Sequence, residues 1–321
     1  MTRTLSGIQP SGNFHIGNYF GMIDQMVKAQ ESEEVFAFIA NYHAMTSVYD
    51  GARLAAQTKE AAIAFISLGI DVDRACFWVQ SHVKEVLELY WILSQHTPMG
   101  LLERAHSYKD KLARGFAAAH GLFSYPVLMA ADILLFGTDI VPVGKDQIQH
   151  VEIARDIAIK FNNACGDLLR LPNYRVGESV AIVPGIDGAK MSKSYDNTIE
   201  IFTDRKSLDK RIKQIVTAPV ALESPKEWRG DTVYQLCALF LDEAGQAALQ
   251  ARYEKGGEGH GHFKAYLADL ITAHFAAARA RYDTLKTDDA EVERLLAIGA
   301  KKAERVAAER MAQIRTAVGI I

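Results

Sequence analysis

Cysteine is scarce in this chain: Cys76, Cys165 and Cys237 are the only three in 321 residues, far apart and without a CxxC pair. That excludes a disulfide framework and a cysteine-built zinc knuckle. Long apolar runs are missing as well. No stretch approaches the roughly 20 uncharged apolar residues of a membrane span. The opening MTRTLSGIQPSG lacks the charged start and apolar run of a secretory leader, so a cytoplasmic location is expected. No repeat or low-complexity tract is visible. Charge of one sign is also in short supply. A net charge of −3 argues against a surface coated in positive charge for nucleic acid, although a local patch is enough for RNA.

What is present is apolar residue in quantity, 49% of the chain, enough for a sizeable core. Short apolar runs alternate with helical patterns through the first half, which predicts a parallel sheet with crossover helices. Candidate strands are Thr2–Gly7, Val35–Ala40, Ala75–Gln80, Asp139–Val143 and Val180–Pro184. Helical stretches lie near 18–30, 53–68, 84–94, 125–136 and 145–161. In the last, Ile148, Val151, Ala154, Ala158 and Phe161 step by three and four along one face. From about residue 204 helices take over, broken by the KGGEGHG loop at 255–261 and closing with a helix near 298–318. The fold class is therefore α/β: a doubly wound, Rossmann-like nucleotide-binding domain followed by an all-helical one.

Two short segments carry chemistry. In SGIQPSGNFHIGN, residues 6–18, a strand runs into a glycine-containing loop and a helix opens at Gly17 and Asn18. A helix start presents free N–H groups and a partial positive charge, which suit phosphate. His15 and Asn18 add side-chain donors at that edge. The plain alternative is an ordinary strand–turn–helix junction. In GIDGAKMSKSYDN, residues 185–197, Lys190 and Lys193 place two ammonium groups on a glycine-flanked loop, suited to charge growing on a departing pyrophosphate. Alone, a loop rich in lysine and serine is more often plain surface. The run RKSLDKRIK, residues 205–213, is the candidate RNA contact, although such a run is usually a solvated helix face.

HIGN near the start and KMSKS after the sheet, in this order, resemble the paired signatures of class I aminoacyl-tRNA synthetases. YPVLMAADILLFGTDIVPVGKDQIQHVEIARDIA, residues 125–158, together with KMSKSYDN and IGAKKAERVA, resembles the tryptophanyl-tRNA synthetase family over essentially the whole chain. The resemblance implies ATP-dependent activation of L-tryptophan and its transfer to tRNA(Trp). His15, Asn18, Lys190 and Lys193 are then the catalytic set. Gln9, Pro10, Ser11, Gly17, Gly144, Lys145, Asp146, Ala181, Met191, Ser192 and Ser194 lie around ATP, which arrives with Mg2+. Asp132 accepts the indole N–H. Tyr125 and Gln147 hold the amino end, and Gly7, His43, Met129, Val141 and Val143 complete the tryptophan pocket. It also implies a homodimer, with segment 98–125 in the contact, a catalytic domain over 1–203, an anticodon-reading helical domain over 204–295 and a C-terminal helix over 296–321 packed back on the catalytic domain. Some relatives bind an iron–sulfur cluster through clustered cysteines; those are missing here, and no protein-held metal is expected.

The residues bear on this independently. Tyr125, Met129 and Asp132 fall on one helix face, and Asp132 is a lone carboxylate in an apolar run, so it needs a partner or a cleft wall. Val141 and Val143 alternate along a strand toward one pocket. A site built around a substrate donor can reject an analogue lacking it by about 10⁴–10⁵, which removes the need for an editing domain. Leu5, aromatic in some relatives, and Asn41–Tyr42 depart from close family patterns. Rival readings are a tyrosine-specific synthetase of the same fold, a small nucleotidyltransferase with a similar histidine signature, and a non-catalytic paralogue that binds tryptophan or RNA.

Overall fold

The computed structural model describes residues 1–10, 12–105, 108, 115, 119–144, 147–176 and 183–321. Strands β1 (Arg3–Ile8), β2 (Glu34–Ile39), β3 (Cys76–Val79), β4 (Ile140–Val143) and β5 (Asn173–Val176) form one parallel sheet in the order β3-β2-β1-β4-β5. Helix α1 joins a turn at Ile16–Asn18, a π-helical turn at Tyr19–Ile23 and an α-helical stretch at Asp24–Ala29. It is followed by α2 (Asn41–Ala44), α3 (Gly51–Ser67), α4 (Glu85–Ser94), α5 (Met99–Glu103), α6 (His120–Leu135) and α7 (Ile148–Cys165).

Parallel strands are covered on both faces, and the strand sequences show it. In β2, Val35, Ala37 and Ile39 join one core, with α1 and α3. Phe36 and Phe38 point the other way, into a second core with α4, α6 and α7. Strand β3 divides likewise, Phe77 and Val79 to the first core, Cys76 and Trp78 to the second. The strand order reverses beside β1, and the crevice at such a point, at the carboxyl ends of the strands, is where open α/β sheets bind ligands.

Two expectations need correction. The last strand among the described residues is Asn173–Val176, a segment not expected as one, and the expected strand Val180–Pro184 falls largely outside the described residues. Residues 177–182 lie outside the described residues, and Pro184 forms only an isolated bridge with Lys190. Strand β5 is an edge strand whose Asn173, Tyr174 and Arg175 face solvent, so it carries no apolar run to announce it. Helix α6 begins at His120 rather than Tyr125, with Pro126 inside it. A proline without an N–H reads as a first-turn residue, and the turn ahead of it was hidden for that reason.

The described residues beyond 204 form α8 (Arg205–Lys213), α9 (Thr232–Ala238), α10 (Glu243–Lys255), α11 (His260–His274), α12 (Ala276–Lys286) and α13 (Asp289–Ala317). Aspartate caps many of these starts: Asp204, Asp231, Asp242 and Asp288 each accept a backbone N–H from the first turn. Helix α13 lies along edge strand β3, and Ala300, Ala303, Ala307, Met311 and Ile314 enter the second core. Contact is closest at Gly299. A Cβ there would stand 1.8 Å from the Phe77 carbonyl oxygen, and the Cys76 thiol reaches the Gly299 carbonyl at 3.3 Å. Burial pushes that thiol up to about 12, so it stays a protonated donor. Gly299→Ala must therefore push the helix off the strand. It should cost about 3 kcal/mol or more, read as a lower urea midpoint; an unchanged midpoint would show that the helix is not seated on β3.

Candidate active site

The chain leaves β1 at Ile8 and passes Gln9, exposed, and Pro10, buried; Ser11 lies outside the described residues. Gly12 then takes φ +82°, a left-handed conformation that favours glycine. His15 caps α1 reciprocally with Asn18: the Asn18 N–H donates to His15 Nδ1 at 3.3 Å, and the His15 N–H donates to Asn18 Oδ1 at 3.2 Å. An accepting Nδ1 places the proton of neutral imidazole on Nε2. Burial, with Lys193 nearby, holds His15 down at about 4, so the ring is a neutral donor at physiological pH. Gly17 makes the close approach possible, because a Cβ would meet His15 Nδ1 at 3.0 Å and Met191 Cβ at 3.3 Å.

That last contact crosses to the second signature. The Ile16 N–H donates to the Ile199 carbonyl and the Ile201 N–H to the Phe14 carbonyl, both at 3.0 Å, with His15 bridged to Glu200. A short antiparallel ladder thus ties the two loops together. The second loop is a tight turn closed by Met191 N–H to Val183 O at 2.9 Å and Gly185 N–H to Ala189 O at 2.7 Å. Asn197, 1% exposed, pins it. Its Oδ1 accepts from the Ser192 N–H at 2.7 Å, and its Nδ2 donates to Asp187 at 2.8 Å and the Lys190 carbonyl at 3.1 Å. Ser192 caps the turn through the Ser194 N–H. Lys193 leans back over the Phe14 ring at 5.8 Å, its ammonium made easier to deprotonate by burial and held charged by Glu200. Lys190 is exposed.

The third group gathers on the far side of the sheet. Asp132, on α6, is 2% exposed and ringed by polar partners: Gln80 Nε2 lies 2.9 and 2.8 Å from its two oxygens, and His43 Nε2 lies 2.9 Å from Oδ2. Burial raises its carboxyl, while His43 and then Gln80 pull it back down. Tyr125, a face-mate on α6, packs edge-on against His43 and meets His150 Nε2 at 2.9 Å. Met129 and Val143 are half-buried and Val141 is buried. Gly7 is exposed although it sits in the central strand, with the Phe38 ring against it, which marks an opening above β1. Gln147 directly precedes α7, its N–H on the exposed Gly144 carbonyl. Lys145, Asp146 and Ala181 lie outside the described residues. The structure thus joins His15, Gly17, Met191 and Lys193 in one group, and His43, Tyr125 and Asp132 in another.

A family model described as tRNA synthetases class I (W and Y) matches residues 1–279. The chain is a class I tryptophan/tyrosine tRNA synthetase. Among relatives of this family, the tryptophan–tRNA ligase of Campylobacter jejuni (strain RM1221) is 61% identical, covering 99% of this chain and all of the relative. That of Rhodopirellula baltica is 46% identical over 99% of each. A crystal structure of the Campylobacter jejuni tryptophanyl-tRNA synthetase complexed with ADP and tryptophan superposes with a TM-score of 0.96 at 61% identity, covering 99% of this chain and 100% of that one.

Four residues at this synthetase's site went unread in the sequence: Gln80, His150, Asn197 and Arg211. Gln80 had a signal, as a polar residue directly after a buried strand at its carboxyl end. Arg211 had the opposite one. It stands in the basic run chosen for RNA, yet its guanidinium binds the Thr198 carbonyl at 2.8 Å and Asp196, holding the loop. Arg205, also exposed, pairs with Asp209 and Asp269; Lys206, Lys210 and Lys213 are exposed cations of α8 outside those pairs. Among the described residues no cluster of His, Cys, Asp and Glu could hold a metal, and no helix is long and apolar enough to cross a membrane.

His15 supplies a pH test. Its folded value lies below the ordinary 6.5, so below that pH the unfolded chain takes up a proton that the folded chain refuses. Stability due to a neutral His15 is complete above 6.5 and is lost as pH falls towards 4. Between pH 7 and pH 5 the loss should be about 2 kcal/mol. His15→Gln, which cannot titrate, should lack that share of the acid-side slope in urea unfolding. Equal slopes would mean that His15 is not held neutral.

Proposed function

We propose that this chain activates L-tryptophan with ATP and transfers it to tRNA(Trp), working as a cytoplasmic homodimer. The observation that carries the reading is the buried Asp132 carboxylate, bonded to Gln80 and His43 just beyond the carboxyl ends of β3 and β2, in the same fold as a phosphate-suited pair of loops. The ADP and tryptophan of the Campylobacter jejuni complex support both halves of it. Asp132 accepts the indole N–H, while Gly7, His43, Met129, Val141 and Val143 surround the ring and Tyr125 and Gln147 hold the amino end. A charged acceptor contributes about 1.5–3 kcal/mol to a bound donor, and a ring without an N–H leaves it desolvated and unpaired.

In the first step, a tryptophan carboxylate oxygen bonds to the α-phosphorus and the bond to the bridging oxygen breaks, so pyrophosphate leaves with the electron pair. Neutral His15 donates through Nε2–H, Asn18 sits at the same helix start, and Lys190 and Lys193 balance the growing charge. Catalysis here is positioning and charge stabilisation. Mg2+ enters with ATP as part of the substrate and supplies further charge neutralisation. Gln9, Pro10, Ser11, Gly17, Gly144, Lys145, Asp146, Ala181, Met191, Ser192 and Ser194 form the nucleotide's surroundings. In the second step, the 2′-hydroxyl of the terminal adenosine attacks the carbonyl carbon and AMP departs. The helical region 204–295 reads the anticodon, with the exposed lysines of α8 toward RNA, and segment 98–125 contributes to the dimer contact.

The deciding experiment is amino-acid-dependent exchange of pyrophosphate into ATP, run with all twenty amino acids and no tRNA. Exchange with tryptophan alone is expected. Exchange with tyrosine instead would keep the chemistry and overturn the pocket; none at all, in a folded protein that binds tryptophan, would favour a non-catalytic paralogue. Lys193→Ala should lower kcat about 100-fold or more while the KM for tryptophan moves only a few-fold. An unchanged kcat removes Lys193 from the mechanism.

A further inference from the structure

We propose that Gln80 is a positioning residue for tryptophan selection: clamped between α2 and Asp132, it fixes the carboxylate so that one lone pair of Oδ1 is left for the indole N–H. The inference rests on the function proposed above and adds a residue to its site.

Gln80 follows β3 directly and is 1% exposed. Its amide is oriented by both ends. The Tyr42 N–H donates to Oε1 at 3.0 Å, so Nε2 must be the end that faces Asp132, where it lies 2.9 Å from Oδ1 and 2.8 Å from Oδ2. His43 Nε2 takes a second position on Oδ2 at 2.9 Å. A carboxylate oxygen accepts along two lone-pair directions. Oδ2 is therefore filled by Gln80 and His43, while Oδ1, with Gln80 alone among these partners, keeps a direction free.

The clamp continues outward. Asn41 Nδ2 donates to Ser81 Oγ at 2.8 Å, and the Ser81 N–H returns to Asn41 Oδ1 at 3.1 Å. Three side-chain bonds thus lock the first turn of α2 to the residues after β3, across the carboxyl ends of neighbouring strands. Asn41 and Tyr42 are two of the locked residues. Among the described residues, the titratable groups around Asp132 are His43 from α2, Tyr125 on α6 and His150 from α7, the last acting through Tyr125. Burial raises the Asp132 carboxyl, and the bonds from His43 and then Gln80 oppose that rise.

Gln80→Met keeps the volume and removes both contacts. It should raise the KM for tryptophan roughly 10- to 100-fold while kcat and the KM for ATP stay within about threefold. The distinguishing readout is pH. Without the Gln80 donor Asp132 protonates more easily, so the variant's KM for tryptophan should climb more steeply than the wild type's as pH falls from about 8 to about 6. Ser81→Ala loosens the clamp from its exposed side and should show a smaller shift of the same kind; it decides the matter if Gln80→Met does not fold. A folded Gln80→Met with wild-type KM and pH profile overturns the proposal, as does a loss spread equally over kcat and both KM values. Wild-type protein that gives no exchange with tryptophan would overturn the proposed function, and this assignment with it.

Discussion

The backbone ladder between Phe14–Ile16 and Ile199–Ile201 is the constraint on which the phosphate side of the site depends. It brings together two loops from opposite ends of the α/β half, and it does so through main-chain groups that any residue carries. Once formed, it seats Met191 against Gly17 and brings Lys193 to the His15 side of the crevice. The neutral state of His15 follows first from burial and then from the nearness of Lys193. Asn197 and Arg211 then stiffen the second loop from within and from α8, so a helix of the C-terminal half holds the loop of the N-terminal half.

The amino-acid side obeys a different constraint. A carboxylate removed from water costs more than any single hydrogen bond returns unless several donors surround it. Asp132 meets that cost with Gln80 and His43, side chains from the ends of two other strands. Selectivity and stability thus draw on the same bonds. A donor-bearing ring completes the set, and a ring without one leaves a buried acceptor short.

Helix α13 relates to both sides through the sheet. It lies on β3, the strand that leads into Gln80, and it approaches so closely that Gly299 faces backbone rather than side chain. Edge strands invite unwanted pairing, and covering them with a helix is one remedy. Here the cover also braces the strand that presents the amide to Asp132.

Much of this was legible in the sequence, and for local reasons. Alternating apolar runs and helical periods forecast a parallel α/β sheet followed by helices, because buried strands and amphipathic helices write their periods into neighbouring residues. His15, Asn18, Lys190 and Lys193 stood out in short motifs, and Asp132 as a carboxylate inside an apolar run. Less was visible wherever the deciding contact is distant in sequence. Strand β5 has solvent-facing residues and no apolar period, and the turn before Pro126 was masked by a proline that looks like a helix start. Arg211 resembled an RNA contact because charge alone does not tell which way a side chain turns. The sequence by itself determined the fold class, the two loops and the lone carboxylate. Only the tertiary structure decided what Asp132 bonds to, which tautomer His15 adopts and what pins the second loop, because hydrogen bonds between residues 52 and 89 positions apart leave no period along the chain.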